Sequence, residues 1–212
     1  MKNLFDQIKN HIDDTGKLVS NIEEINRSMF AAEQLAESLL GCTLNVRGKA
    51  FIIRMLEIYY GGVGDDAHDW YRTRFSYKTS KYKEHTSIQC LGGFSVYLSS
   101  LDVSDTYTRM DIVVGHTGVP ISFLLRSVWD STFNLIGAKN GNPNIVLNAI
   151  GIKPEDHGQP IDIENKNAEL YLENTHEQII NDRGFQIKRQ RRINLKSEFE
   201  EKNKVLWNLS LE

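Results

Sequence analysis

The residues best placed to do chemistry lie in one stretch, Phe51 to His68, read FIIRMLEIYYGGVGDDAH. Its first half is rich in β-branched, aromatic and other apolar residues and contains no Pro, which predicts a strong β-strand. Period-two alternation places Phe51, Ile53, Met55, Glu57 and Tyr59 on one face, and Ile52, Arg54, Leu56, Ile58 and Tyr60 on the other. Glu57 thus sits in an apolar row, where poor solvation disfavours its charge unless a cation or a donor compensates. Arg54 and Arg126 are candidate cations, and an ion pair with one of them is the reading that assigns Glu57 no further role. The strand is expected to stop at the turn-forming run Gly61-Gly62-Val63-Gly64 and to give way to an acidic loop, Asp65-Asp66-Ala67-His68-Asp69-Trp70.

These residues need a scaffold. The chain has 212 residues, enough to bury a sizeable core as one ordinary domain with an appendage. Residues 1–27 read as a helical N-terminal extension, with Leu4, Phe5, Ile8 and Ile12 in one stripe, a break at Thr15-Gly16, and Leu18, Val19, Ile22 and Ile25 in a second. Residues 28–212 form the main domain. It is expected to open on a helix over 30–40 with Ser28 as N-cap and Gly41 as its stop, followed by a strand at 43–47. Beyond the acidic loop, further strands are predicted at 94–99, 109–115 and 121–129. A polar loop with a short helix follows over 153–182, and an edge strand closes the chain at 205–209. The fold class is α+β, a single domain with a curved, mainly antiparallel sheet flanked by helices.

Composition narrows the setting. The formal charge is −3 and the pI about 6.1, so bulk charge does not favour a nucleic-acid partner, and the distribution of charge matters more than the total. Cys42 and Cys90 give neither a disulfide framework nor zinc spacing and read as reduced thiols of a cytoplasmic protein. No apolar run approaches the roughly 20 residues that cross a bilayer, so no membrane partner is expected. Basic residues do gather locally. Arg72, Arg74, Lys78, Lys81 and Lys83 are interleaved with Phe75, Tyr77 and Tyr82 and contain no acid among them, and Arg183, Lys188, Arg189, Arg191, Arg192 and Lys196 form a second cluster. Each can track phosphates, or simply be a solvated surface.

Glu57-x-Tyr59-x-Gly61, with His68 in register, resembles the central motif of the alkyladenine (3-methyladenine) DNA glycosylase family. Gly64 stands where that family has an Asp. Ala-Glu-Gln-Leu-Ala-Glu-Ser-Leu-Leu-Gly before Cys42, the strand Ile121–Arg126, and Asn142–Ile152 resemble further family segments, so the likeness covers about residues 28–152, with a weaker echo over 183–209. The resemblance implies hydrolysis of the N-glycosidic bond of alkylated or otherwise damaged purines flipped out of duplex DNA. Glu57 would deprotonate water, with Arg126 holding that water and keeping the carboxylate ionised. Tyr59, His68 and Tyr97 would wall the base pocket, and Asp111 and Leu124 would line it, Asp111 standing where the family usually has Asn. Arg72, Arg74, Lys78, Lys81, Lys83, Arg189, Arg191 and Arg192 would meet phosphates. The family's intercalating Tyr has no counterpart, which leaves Leu101 or Val103 as an apolar wedge. Neither a metal nor an organic cofactor is required. The partner implied is double-stranded DNA carrying damaged purines, bound by a monomer, nucleoid-associated if the source is bacterial. The alternative within the same fold is a protein that binds DNA or a modified nucleotide without cleaving it.

Other constellations carry less. Asp65, Asp66, His68 and Asp69 are hard-metal ligand types, but adjacent acids in a strand-to-loop turn are ordinarily solvated, and no metal is assigned. Gly62-x-Gly64-x-x-Ala67 fits a loose dinucleotide pattern, yet two acids beside it would repel a pyrophosphate. His85, His116, His157 and His176 are assigned no role.

Overall fold

The computed structural model describes residues 1–7, 22–60, 93–99, 107–114, 121–137, 143–191 and 208–212. His68, the basic residues Arg72, Arg74, Lys78, Lys81 and Lys83, the wedge candidates Leu101 and Val103, and Arg192 lie outside the described residues.

A short helix α1 (Lys2–Phe5) precedes α2 (Ile22–Leu39). In α2 the residues Ala31, Ala32, Leu35, Ala36 and Leu39 fall on one stripe and are almost wholly buried, so the helix is held by its apolar face. It starts at Ile22, well before the expected cap at Ser28, because no Gly or Pro interrupts 22–40 and a Ser inside a helix costs little where the run on both sides propagates. The helix therefore runs through the position expected to divide extension from domain. Gly41 ends it with φ +78, a left-handed conformation that disfavours other residues, and any Cβ there would lie 3.4 Å from the backbone of His176. The Gly41 amide donates to the Ile53 carbonyl at 2.8 Å, and the Thr175 hydroxyl donates to the Gly41 carbonyl at 2.7 Å, fastening the helix end to the sheet.

The strands are β1 (Thr43–Val46), β2 (Lys49–Tyr60), β3 (Phe94–Ser99), β4 (Arg109–Val114), β5 (Ile121–Asp130), β6 (Leu135–Ile136), β7 (Pro160–Ile163), β8 (Leu170–Glu173), β9 (Ile187–Gln190) and β10 (Asn208–Leu211). Between them come α3 (Pro143–Ile150), a 3-10 turn at Pro154–Asp156, and α4 (His176–Arg183). The pairings are antiparallel except β7 with β8, so the α+β class and the mainly antiparallel sheet match expectation.

The expected curved sheet is instead closed. Strands β5, β4, β3, β7, β8, β1 and β2 follow one another, and β2 pairs back onto β5, which makes a 7-strand barrel, with β6 continuing from β5 and β10 and β9 from β2. Two features produce the closure. β2 is 12 residues long and has two register shifts between Ile53 and Leu56, and such bulges let a strand bend. The strands β7 and β8 complete the circle from the segment expected to be polar loop. Their residues are only partly apolar (Ile161 and Leu172 are buried while Pro160 and Ile163 are exposed), so alternation was too weak to signal them.

The C-terminal strand also differs from expectation. β10 lies between β2 and β9 rather than at an edge, and all four of its residues are buried. Its Asn208 and Ser210 imitate the solvent face of an edge strand, but the face they share is a polar row within the protein. No described helix is long and apolar enough to cross a membrane.

Candidate active site

Residues directly opposite each other in an antiparallel ladder point to the same side of the sheet. Following the registers outward from β2, Asn208 stands opposite Glu57, Glu57 opposite Leu124, Leu124 opposite Asp111, and Asp111 opposite Tyr97. One row running across β10, β2, β5, β4 and β3 therefore carries two acids, an amide and a phenol. The neighbouring row holds Tyr59 opposite Ser122, which is opposite Val113, which is opposite Ser95. The fold thus brings Glu57, Tyr59, Asp111, Leu124, Arg126 and Tyr97 onto a single face.

Burial decides what these groups can do. Glu57 is 1% exposed, Asp111 2% and Arg126 7%. An isolated carboxylate at such a depth would be driven to its neutral form, but Arg126 Nη2 donates to Glu57 Oε2 at 2.7 Å and the Tyr59 hydroxyl donates to Oε1 at 2.7 Å. The cation arrives from β5, where Arg126 lies two residues beyond Leu124 on the same face. Arg54, the other candidate cation, faces the opposite way. It donates to the Ser127 hydroxyl at 3.2 Å and lies 5.6 Å from the centre of the Trp129 ring, and burial pushes its guanidinium below the usual value. The two arginines thus serve different faces of the sheet, Arg126 toward Glu57 and Arg54 toward Ser127 and Trp129.

A buried carboxylate met by a guanidinium on one oxygen and a phenol on the other is an arrangement that can take part in proton transfer.

At the far end of the row, Tyr97 is partly exposed and its ring centre lies 5.2 Å from that of His157 at an interplanar angle of 49°. Tyr107 stacks on the same imidazole at 5.8 Å and 14°. The Leu98 amide donates to His157 Nδ1 at 3.1 Å, which places the proton of the neutral ring on Nε2. His157 and Tyr107 were not legible as neighbours of Tyr97, since His157 lies in a turn about fifty to sixty positions from its aromatic partners. Asn208 and Ser122 were missed as well. Both are buried, and among the described residues neither amide atom of Asn208 nor the Ser122 hydroxyl meets a hydrogen-bond partner. The polar alternation of Asn208 and Ser210 between Leu209 and Leu211 was the available signal.

The second basic cluster sits away from this row and is engaged with acids. Arg189, on β9, bonds Glu37 of α2 through Nε at 3.0 Å and Nη2 at 2.5 Å and also meets Glu33 at 3.6 Å. Lys188 pairs with Glu212 at 2.9 Å, and Arg183 lies 4.0 Å over the Phe133 ring. Arg191 is exposed. Among the described residues, no group of three or more His, Cys, Asp or Glu is disposed to hold a metal. The chain matches no protein-family model and no curated protein.

Proposed function

We propose that this chain hydrolyses the N-glycosidic bond of damaged purines in duplex DNA, with Glu57 as the general base. The observation that carries the reading is the buried Arg126–Glu57–Tyr59 arrangement, set on the same row as Asp111 and Tyr97. A base must leave the stack before its C1′ can be reached, so an enzyme of this class needs a stacking pocket beside a held water. In the reaction, water loses a proton to Glu57 as its oxygen bonds to C1′. The bond from C1′ to the purine nitrogen breaks with its electron pair leaving on the base, and the products are free base and an abasic sugar. Glu57 then releases that proton to solvent, and Arg126, 2.7 Å from its carboxylate, holds the group in place for the next turnover. Tyr97 and Tyr59 offer ring faces to the flipped purine, and Asp111 and Leu124 stand in the row that links Tyr97 to the strand of Tyr59; the motif resemblance assigns a further wall to His68, which lies outside the described residues. The reaction needs neither metal nor organic cofactor. The test is release of free base from duplexes carrying 3-methyladenine, 7-methylguanine, ethenoadenine or hypoxanthine. Release of at least one of these bases supports the reading, and failure on all four overturns it.

One observation favours a second reading, a protein of this fold that binds a modified nucleotide without cleaving DNA. Arg189 and Lys188 are paired with Glu33, Glu37 and Glu212, which removes positive charge from a surface expected to meet phosphates. A duplex binder loses affinity steeply with salt, by a log–log slope of about −0.9 per neutralised phosphate. Tight binding of a free modified nucleoside with a flat salt response to duplex would select the second reading.

A further inference from the structure

Asn208 is 1% exposed, and among the described residues its carboxamide makes no hydrogen bond through either Oδ1 or Nδ2. A buried amide left without partners is costly, a cost that an apolar residue of the same shape would not carry. Its position is specific. Asn208 is the register partner of Glu57 across the β2–β10 ladder, so the two Cβ atoms are about 4.5–5.5 Å apart and both side chains rise from the same face. The two side chains nevertheless do not bond to each other. The contacts described for Glu57 run to Tyr59 and Arg126, and no hydrogen bond joins its carboxylate to the Asn208 carboxamide, so a water between the two would supply the amide with the partner it lacks.

We infer that Asn208 and Glu57 together hold a single buried water, and that this is the water Glu57 activates; the second half of this statement rests on the hydrolytic reading above. The chemistry of the pair suits the task. Water has two O–H donors and two lone pairs. One O–H points to the Glu57 carboxylate and is the proton transferred, while the other is accepted by Asn208 Oδ1. With both hydrogens so directed, a lone pair of the oxygen is turned away from Glu57 and Asn208 and is available for attack on C1′. An ionised carboxylate in place of Asn208 would compete for the same proton and repel Glu57, whereas a carboxamide accepts without carrying charge. Asn208 is thus a water-holding residue and Glu57 the base.

The experiment has a structural arm and a kinetic arm, both on the full-length chain. A crystal structure at a resolution that places waters should show one within hydrogen-bond distance of both Asn208 and Glu57 in the wild type, and should show it absent in Asn208→Leu with Glu57, Tyr59 and Arg126 unmoved. Single-turnover base release by Asn208→Leu should fall roughly ten- to hundred-fold, the rate equivalent of losing one buried hydrogen bond, with substrate binding unchanged. Asn208→Asp should move the acid limb of the pH–rate profile to higher pH, because two neighbouring carboxylates resist joint ionisation. Should Asn208→Leu fail to fold, Asn208→Ser replaces it in both arms. A wild-type structure with no bridging water overturns the inference, as does base release by Asn208→Leu at the wild-type rate. If the water is present but wild type releases no base from any lesion, the water site stands and the hydrolytic reading alone fails.

Discussion

Arg126 donates to Oε2 of Glu57 at 2.7 Å across the β2–β5 ladder, while Arg54, on the same strand as Glu57, turns to the other face and donates to Ser127. The two arginines are alike in type and in burial, so strand parity alone selects the partner of the acid. The ion pair is buried at both ends, with side-chain exposures of 1% for Glu57 and 8% for Arg126, and a pair in that position behaves differently from one at the surface.

Removing one partner of such a pair strands the other. Arg126→Met should lower the free energy of unfolding by about 3–5 kcal/mol, and Glu57→Leu combined with Arg126→Met should recover most of that loss, since neither buried charge then remains. Urea unfolding of the two variants measures this. A loss below about 1 kcal/mol in Arg126→Met would mean that the pair is solvated.

Cys42 gives a pH prediction. Burial pushes its thiol up to about 12. A group whose folded value lies above its unfolded one stabilises the fold below the unfolded value and loses that contribution as pH rises, so the contribution of Cys42 should decline between about 9 and about 12. Cys42→Ala should flatten the alkaline limb of the stability curve over that window, and in the native wild type Cys42 should resist alkylation at pH 8 while the unfolded chain reacts. Rapid native labelling of Cys42 would contradict its burial.

Asp111 lies opposite both Leu124 and Tyr97 and is buried. If ionised it accepts hydrogen bonds and donates none, so it attracts a cationic purine and repels the acceptor nitrogens of a neutral one. Under the glycosylase reading, wild type should prefer 3-methyladenine and 7-methylguanine over hypoxanthine and ethenoadenine, and Asp111→Asn should narrow that ratio by a factor worth about 1–3 kcal/mol. Competition between cationic and neutral lesions in one reaction gives the ratio. An unchanged ratio would remove Asp111 from contact with the base.

How much of this was legible follows from which interactions are local. β2 and β5 were clear because Phe51–Tyr60 and Ile121–Trp129 are rich in β-branched, aromatic and other apolar residues and contain no Pro, and the faces of Glu57 and Arg54 followed from period two. The closed barrel was not legible, because it depends on β2 meeting β5 some seventy residues away and on β7 and β8, whose mixed burial leaves little alternation. The role of β10 was misjudged for a related reason. Asn208 and Ser210 look like an exposed face until the register places Asn208 against Glu57. Arg189 read as a phosphate contact, since its pairing with Glu33 and Glu37 joins residues about 150 positions apart. Gly41 was read correctly as a helix stop, and its left-handed φ of +78 explains why a glycine is favoured there.

The central claim is that Glu57 is the base for water. The most direct measurement is single-turnover release of 3-methyladenine from a duplex by wild type and by Glu57→Gln, with duplex affinity measured on both. Gln keeps the shape, and its one carbonyl oxygen can accept from Arg126 while its Nε2 donates to the Tyr59 hydroxyl oxygen, but it cannot take a proton at neutral pH. The account predicts release by wild type, and a fall of at least about 100-fold in Glu57→Gln, the lower end of what a positioned general base contributes, with affinity for the lesion duplex retained. Release by Glu57→Gln at the wild-type rate would contradict it.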